Sequence, residues 1–166
     1  WAAMLASIRQ FFAQQNVLEV QTPLMRQYGA SDPHIHSFYA HADHSAVQKY
    51  YLQTSPEYAM KTLLANGSGD IYQICKAFRA EEEGTLHQAE FTMLEWYRLG
   101  YDHQQLMDEM DIFLQLLLHF TPAKRIRYCA LFEHYLDIDL STASSASLKN
   151  KLQSIAVKHS EQLPRS

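Results

Sequence analysis

Ile71-Tyr72-Gln73-Ile74-Cys75-Lys76-Ala77-Phe78-Arg79-Ala80-Glu81 and Glu90-Phe91-Thr92-Met93-Leu94-Glu95-Trp96-Tyr97-Arg98 are two extended runs separated by a polar connection over 82–89. The pair is read as an antiparallel hairpin with a long loop. Side chains alternate along a strand. Gln73, Cys75, Ala77, Arg79 and Glu81 therefore share one face of the first strand, and Phe91, Met93, Glu95 and Tyr97 share a face of the second. An arginine there can engage an anion with a bidentate fork, a carboxylate can receive an amine, and an aromatic ring can stack on a base or a cation. On alternation alone the default is a solvated face whose charges pair across the strands.

Outward from the hairpin the elements follow from spacing and caps. Residues 2–15 form an amphipathic helix, with Leu5, Ile8, Phe11 and Phe12 on one side. Asn16 ends it, and Val17-Leu18-Glu19-Val20 starts an extended segment running to Pro23, which pushes Thr22 out of the helical region. Residues 26–49 are polar and His-rich, with Ser31-Asp32-Pro33 as a turn signal and a short strand expected over 35–40. Tyr50-Tyr51-Leu52 is another short strand. Ser55-Pro56-Glu57 opens a helix with a hydroxyl N-cap and proline at N1, and Asn66-Gly67-Ser68-Gly69 closes it. Asp102 caps a helix over 103–119, with Gln105 as capping-box partner and Leu106, Met110, Phe113, Leu114 and Leu117 as its stripe. Met107 and Met110 are expected in the core. Shorter helices are read over 128–136 and 146–158. The order suggests an α+β fold with a mostly antiparallel sheet.

Composition narrows the classes. At 166 residues the chain suits one domain, and 47% hydrophobic residues with 19% charged ones are ordinary for a globular protein. A net charge of −4 excludes the simple basic, phosphate-coating type of nucleic-acid binder. No stretch approaches the ~20 apolar residues of a membrane span, and the start lacks the pattern of a secretion signal. Cys75 and Cys129 form no CxxC pair, which suits a reducing compartment and a cytoplasmic location. Beginning at Trp1, the chain reads as part of a longer product.

Other constellations point elsewhere. His34, His36, His41 and His44 have a metal-like spacing, but they sit in a polar loop without a cysteine or a helical Glu/His motif, and solvated loop histidines are the default. Asn66-Gly67-Ser68-Gly69 follows a helix rather than opening one and lacks the phosphate-loop lysine, so it is a turn. There is no nucleophile elbow, and neither cysteine has a histidine partner in sequence.

The hairpin carries a family resemblance. Phe78-Arg79-Ala80-Glu81 followed by His87-Gln88-Ala89-Glu90-Phe91-Thr92-Met93-Leu94-Glu95-Trp96-Tyr97 resembles motif 2 of class II aminoacyl-tRNA synthetases, over about 73–98, in the lysyl-tRNA synthetase version. Where that family usually carries His-Asn-Pro-Glu-Phe, this chain has Gln88-Ala89 in place of Asn-Pro. The helix 2–15 with Val17 to Met25 is similar to motif 1, over about 2–25. Leu52-Gln53-Thr54-Ser55-Pro56-Glu57-Tyr58-Ala59-Met60-Lys61 is most similar to the lysyl-tRNA synthetase paralogues that modify elongation factor P.

The resemblance implies ATP and Mg2+, activation of (R)-β-lysine or lysine as an adenylate, and transfer to a lysine side chain of elongation factor P. Arg79 would hold the α-phosphate as the catalytic cation, Glu81 would contact the adenine side, His87 and Gln88 would lie in the loop near the outer phosphates, and Phe91 would stack on adenine. Ser55, Glu57, Glu95 and Tyr97 would line the amino-acid pocket. Such chemistry needs cations around the phosphoryl group and carboxylates to replace the hydration of two ammonium groups. A homodimer through motif 1 is implied, and tRNA is not expected as a partner. Motif 3 and its acidic metal ligands have no counterpart after Glu133, so residues 1–166 read as a single partial catalytic domain, its sheet incomplete. Two alternatives stand beside this: part of a lysyl-tRNA synthetase, or a non-catalytic dimerisation module.

Overall fold

A computed structural model describes the chain except at residues 42–47, 81–83, 85–86 and 163–166, and in 156–162 it describes the backbone alone. The chain divides into two compact units, residues 1–121 and 122–166.

In the first unit, α1 (Ala2–Gln14) presents Ile8, Phe11 and Phe12 to the interior at the i, i+3, i+4 spacing of one helix face. Asn16 takes a left-handed conformation (φ 55°), which an asparagine tolerates, and turns the chain into β1 (Leu18–Glu19). β1 lies parallel to β5 (Ile71–Phe78), and β5 pairs antiparallel with β6 (Glu90–Tyr97) in the order β1-β5-β6. The ladder extends one step past the strand, because the Arg79 amide donates to the Ala89 carbonyl at 2.9 Å. The sheet is thus mostly antiparallel with one parallel edge. Glu81, expected on the same strand face as Arg79, lies outside the described residues.

The two faces of the hairpin have different fates. Tyr72, Ile74, Leu94 and Trp96 face α1 and α3 (His103–Leu118), where Phe12 is fully buried and stacks on Tyr72 at 4.3 Å between ring centroids. Phe113 of α3 closes the cluster against Phe11 and Trp96. Offset and edge contacts among aromatic rings of this kind add to the area they remove from water, about 150–250 Å² each. The opposite face, with Cys75, Ala77, Phe91, Met93, Glu95 and Tyr97 in register (Cys75↔Met93, Ala77↔Phe91), is left for other business.

α3 begins at the expected capping box, with the Gln105 amide on Asp102 Oδ1 and the Asp102 amide on Gln105 Oε1. Its stripe is only partly internal. Phe113 is buried and Leu114 and Leu117 pack on the core, but Leu106, Met107 and Met110 are exposed, so the two methionines are not the core side chains their spacing suggested. Glu109 occupies the buried position instead. It accepts from Trp96 Nε1 at 3.0 Å and ion-pairs with Arg98, which also pairs with Asp70. A charge network at the end of β6 has thus taken a place that periodicity assigned to apolar groups.

A second small sheet has the order β2-β4-β3, from β2 (Met25–Arg26), β3 (Tyr39–His41) and β4 (Lys49–Leu52). The strand expected over 35–40 is shifted: residues 39–41 form it, and His36 makes only an isolated bridge to Ala80. Gln53, after β4, joins the sheets: its amide donates to the Leu24 carbonyl and its carbonyl accepts from the Phe78 amide. This brings the start of α2 (Glu57–Ala65) beside the end of β5. Ser55 is not the N-cap of α2. Pro56 holds that position, and the Ser55 hydroxyl accepts from the Glu57 amide at 3.4 Å.

In the second unit, α4 (Tyr128–Leu136) ends on Asp137 in a left-handed conformation. Asp139 then receives Ser141 and Thr142, hydrogen bonds that hold its carboxyl below the usual range. α5 spans Ser145–Gln162, longer than the expected 146–158. No helix among the described residues is long and apolar enough to cross a membrane.

Candidate active site

On the hairpin face turned away from α1 and α3 lies a cleft of about 550 Å³. β5 and β6 supply its floor through Arg79, Met93, Glu95 and Tyr97. The entry to α2 supplies Thr54, Ser55, Glu57 and Tyr58, and the loop before β3 supplies Ala30, Ser31, Asp32 and Ile35. Five sequence-predicted residues, Ser55, Glu57, Arg79, Glu95 and Tyr97, therefore meet in one cavity although 42 positions separate the first from the last.

The polarity of the cleft is divided. Arg79 donates through Nε to the Thr54 carbonyl at 3.2 Å, and its guanidinium lies 5.3 Å from the centroid of the Phe91 ring. A guanidinium held by a carbonyl and an aromatic face is pre-oriented for a planar anion. The Tyr97 hydroxyl donates to Glu95 Oε1 at 2.7 Å. Burial pushes the Glu95 carboxyl above its ordinary range, the Tyr97 hydrogen bond opposes that shift, and the charge of Glu57 adds to it. Burial and the bond to Glu95 together push the Tyr97 hydroxyl upward as well. Glu57 carries its own counter-ion, the ammonium of Lys61 one helical turn on. Carboxylates in mutual repulsion, one of them partly desolvated, make a place where a ligand cation relieves an existing cost.

Not every candidate converges there. Phe91 lies beneath Arg79 but does not itself line the cleft. His87 and Gln88 are exposed on the connection, where the His87 amide bonds the Gly84 carbonyl, and neither lines the cleft. Among the described residues no three His, Cys, Asp or Glu side chains gather as a metal site, and His44 lies outside them.

Sequence reasoning missed Ser31, Asp32 and Tyr58. The hydroxyls of Ser31 and Tyr58 are hydrogen-bonded at 2.5 Å, which ties the loop across to α2. Ser31-Asp32-Pro33 was legible only as a turn, since the pairing that folds it over the hairpin is long-range. Tyr58 stood inside a quoted string, and its place beside Glu57 in the first turn of a helix was the available signal.

Residues 2–160 match the family of class II tRNA synthetases (D, K and N). The chain belongs to that family. It is 50% identical over 152 residues to the elongation factor P–(R)-β-lysine ligase of Vibrio vulnificus, covering 90% of this chain and 47% of that protein. The ligases of the same name from Pseudoalteromonas translucida and Vibrio atlanticus are 49% and 46% identical, with 47% and 50% of their lengths covered. The chain thus spans about half the length of the curated relatives it matches.

Proposed function

We propose that the chain forms part of an ATP-dependent ligase that activates (R)-β-lysine, or lysine, as an adenylate and passes the acyl group to a lysine side chain of elongation factor P. The observation that carries this reading is the divided polarity of the cleft, with an arginine stacked on Phe91 at one part and the Glu95–Tyr97 pair beside Glu57 at another. A diamino acid needs that division. Its carboxylate must meet a phosphoryl group while its ammonium groups are held away from it.

In this reading Arg79 binds the α-phosphate and offsets charge gathering there as the substrate carboxylate attacks phosphorus. The bond to the bridging oxygen breaks and pyrophosphate leaves. The neutral amine of the acceptor lysine then attacks the acyl carbon, AMP departs, and the amine loses a proton. Phe91 offers its ring to the adenine, and Glu81, His87 and Gln88 complete the nucleotide side. Glu95 takes an ammonium group, and Glu57, Ser55 and Tyr97 line the amino-acid pocket around it. Magnesium would offset charge on the triphosphate, and among the described residues no acidic cluster stands ready to hold it. Leu18, Leu24 and Met25, exposed after α1, support a homodimer through residues 2–25.

The test is ATP–pyrophosphate exchange with (R)-β-lysine, α-lysine and no amino acid, on the protein carrying this chain at the full length of its relatives. Exchange strongest with β-lysine supports the ligase. Preference for α-lysine supports the lysyl-tRNA synthetase reading, and no exchange with either amino acid overturns both.

A further inference from the structure

Three carboxylates line the cleft: Asp32, Glu57 and Glu95. Two of them have company. Glu57 is ion-paired with Lys61, and Glu95 accepts the Tyr97 hydroxyl. Asp32 uses Oδ1 to accept the His34 amide at 2.8 Å, an arrangement that fixes the side chain on its loop and leaves the negative charge uncompensated by it. The next-door Ser31 hydroxyl is bonded to Tyr58, so the segment bearing Asp32 is tied to the wall that carries Glu57. A diamino acid brings two ammonium groups and one carboxylate. Glu95 can match one ammonium, Arg79 faces the carboxylate or the phosphate it becomes joined to, and Glu57 is already matched by Lys61. The second ammonium then has one carboxylate left to meet.

We propose that Asp32 is a specificity-determining residue of the cleft, receiving the second ammonium of a diamino acid and thereby discriminating it from amino acids with a single ammonium. This inference rests on the diamino-acid reading above and deepens it, adding a residue from the loop wall to the amino-acid pocket. Asp32 is exposed in the open cleft, and a charge pair at a rim is weaker than a buried one. The expected gain is therefore modest, about five- to tenfold in affinity, where tenfold corresponds to about 1.4 kcal/mol.

Asp32→Asn isolates the charge. Asparagine keeps an Oδ1 acceptor for the His34 amide and suits the same turn, so the loop retains its local bond. Calorimetric titration with (R)-β-lysine, α-lysine, 6-aminohexanoate (distal ammonium only) and norleucine (backbone ammonium only) reads the effect. The expected result is that Asp32→Asn weakens both diamino acids about five- to tenfold, weakens one monoamino compound similarly, and leaves the other unchanged. The unchanged compound identifies the ammonium that Glu95 holds. Equal binding of all four compounds to wild type and variant overturns the role of Asp32 while leaving the diamino reading intact. Wild type that binds the diamino acids no better than the monoamino ones overturns the reading beneath it. A uniform loss across all four compounds marks a structural effect of the loop and also overturns the proposal.

Discussion

Neutralising Glu95 separates what the cleft does for a ligand from what it costs the fold. Glu95→Gln keeps an oxygen for the Tyr97 hydroxyl, which now donates to Oε1 at 2.7 Å, and removes only the charge. Burial, with the charge of Glu57 added, raises this carboxyl in the folded chain. Between its ordinary value and its raised one, the folded state then holds more proton at this site than the unfolded state does. Stability therefore falls as pH climbs through that window, and above it the fold carries the cost in full. The variant lacks that cost. Because the side chain is half-buried, solvent screening keeps the gain to a fraction of a kilocalorie, on the order of 0.5 kcal/mol, or about 1–2 °C in Tm for a chain of this size. Ligand affinity moves the other way. Losing a charge-assisted bond to ammonium removes about 1.5–3 kcal/mol when the site is closed. The open cleft favours the lower end, about a tenfold weaker Kd for lysine. Thermal melts at pH 4 and pH 7 beside calorimetric titration check both halves. The wild-type melting temperature should fall relative to the variant's between those pH values. A variant that binds lysine as tightly as wild type, or that melts several degrees lower at pH 7, refutes the reasoning.

Arg79→Ala is expected to abolish adenylation, measured as pyrophosphate exchange in the full-length protein, while shifting Tm by no more than about 2 °C, since its bond to the Thr54 carbonyl and its contact with the Phe91 ring lie at the cleft and outside the aromatic core. Retained exchange would remove it from the reaction. Phe12→Ala empties a fully buried site against Tyr72, Trp96 and Phe113, and denaturant titration should show a loss of about 3–5 kcal/mol. Asp102→Ala removes the side-chain acceptor of the capping box of α3, leaving the backbone amide that donates to Gln105 Oε1. It should cost about 1 kcal/mol, seen as a Tm lower by a few degrees, with lysine binding untouched because α3 lies on the other face of the hairpin.

Periodicity and local chemistry determined much of this. The helix face of Ile8, Phe11 and Phe12, the Asp102 capping box, and the alternation that sets Glu95 and Tyr97 on the face away from Trp96 are all consequences of neighbours in the chain. The motif strings pointed to the family, and the family match over 2–160 agrees with them. Tertiary structure decided what local rules do not reach. Met107 and Met110 satisfy a helical stripe yet are exposed, because Glu109 is drawn inward by Trp96 and Arg98, partners 13 and 11 positions back in the chain. Ser55 lost the N-cap to Pro56. His87 and Gln88 stand on the connection, away from the cleft that Arg79 enters. Asp32 became a cleft residue only when Gln53 bridged the two sheets and Ser31 met Tyr58. Most of these placements depend on contacts between different elements of the chain rather than on sequence neighbours. Their energies are those of the assembled surfaces, which no window of sequence contains.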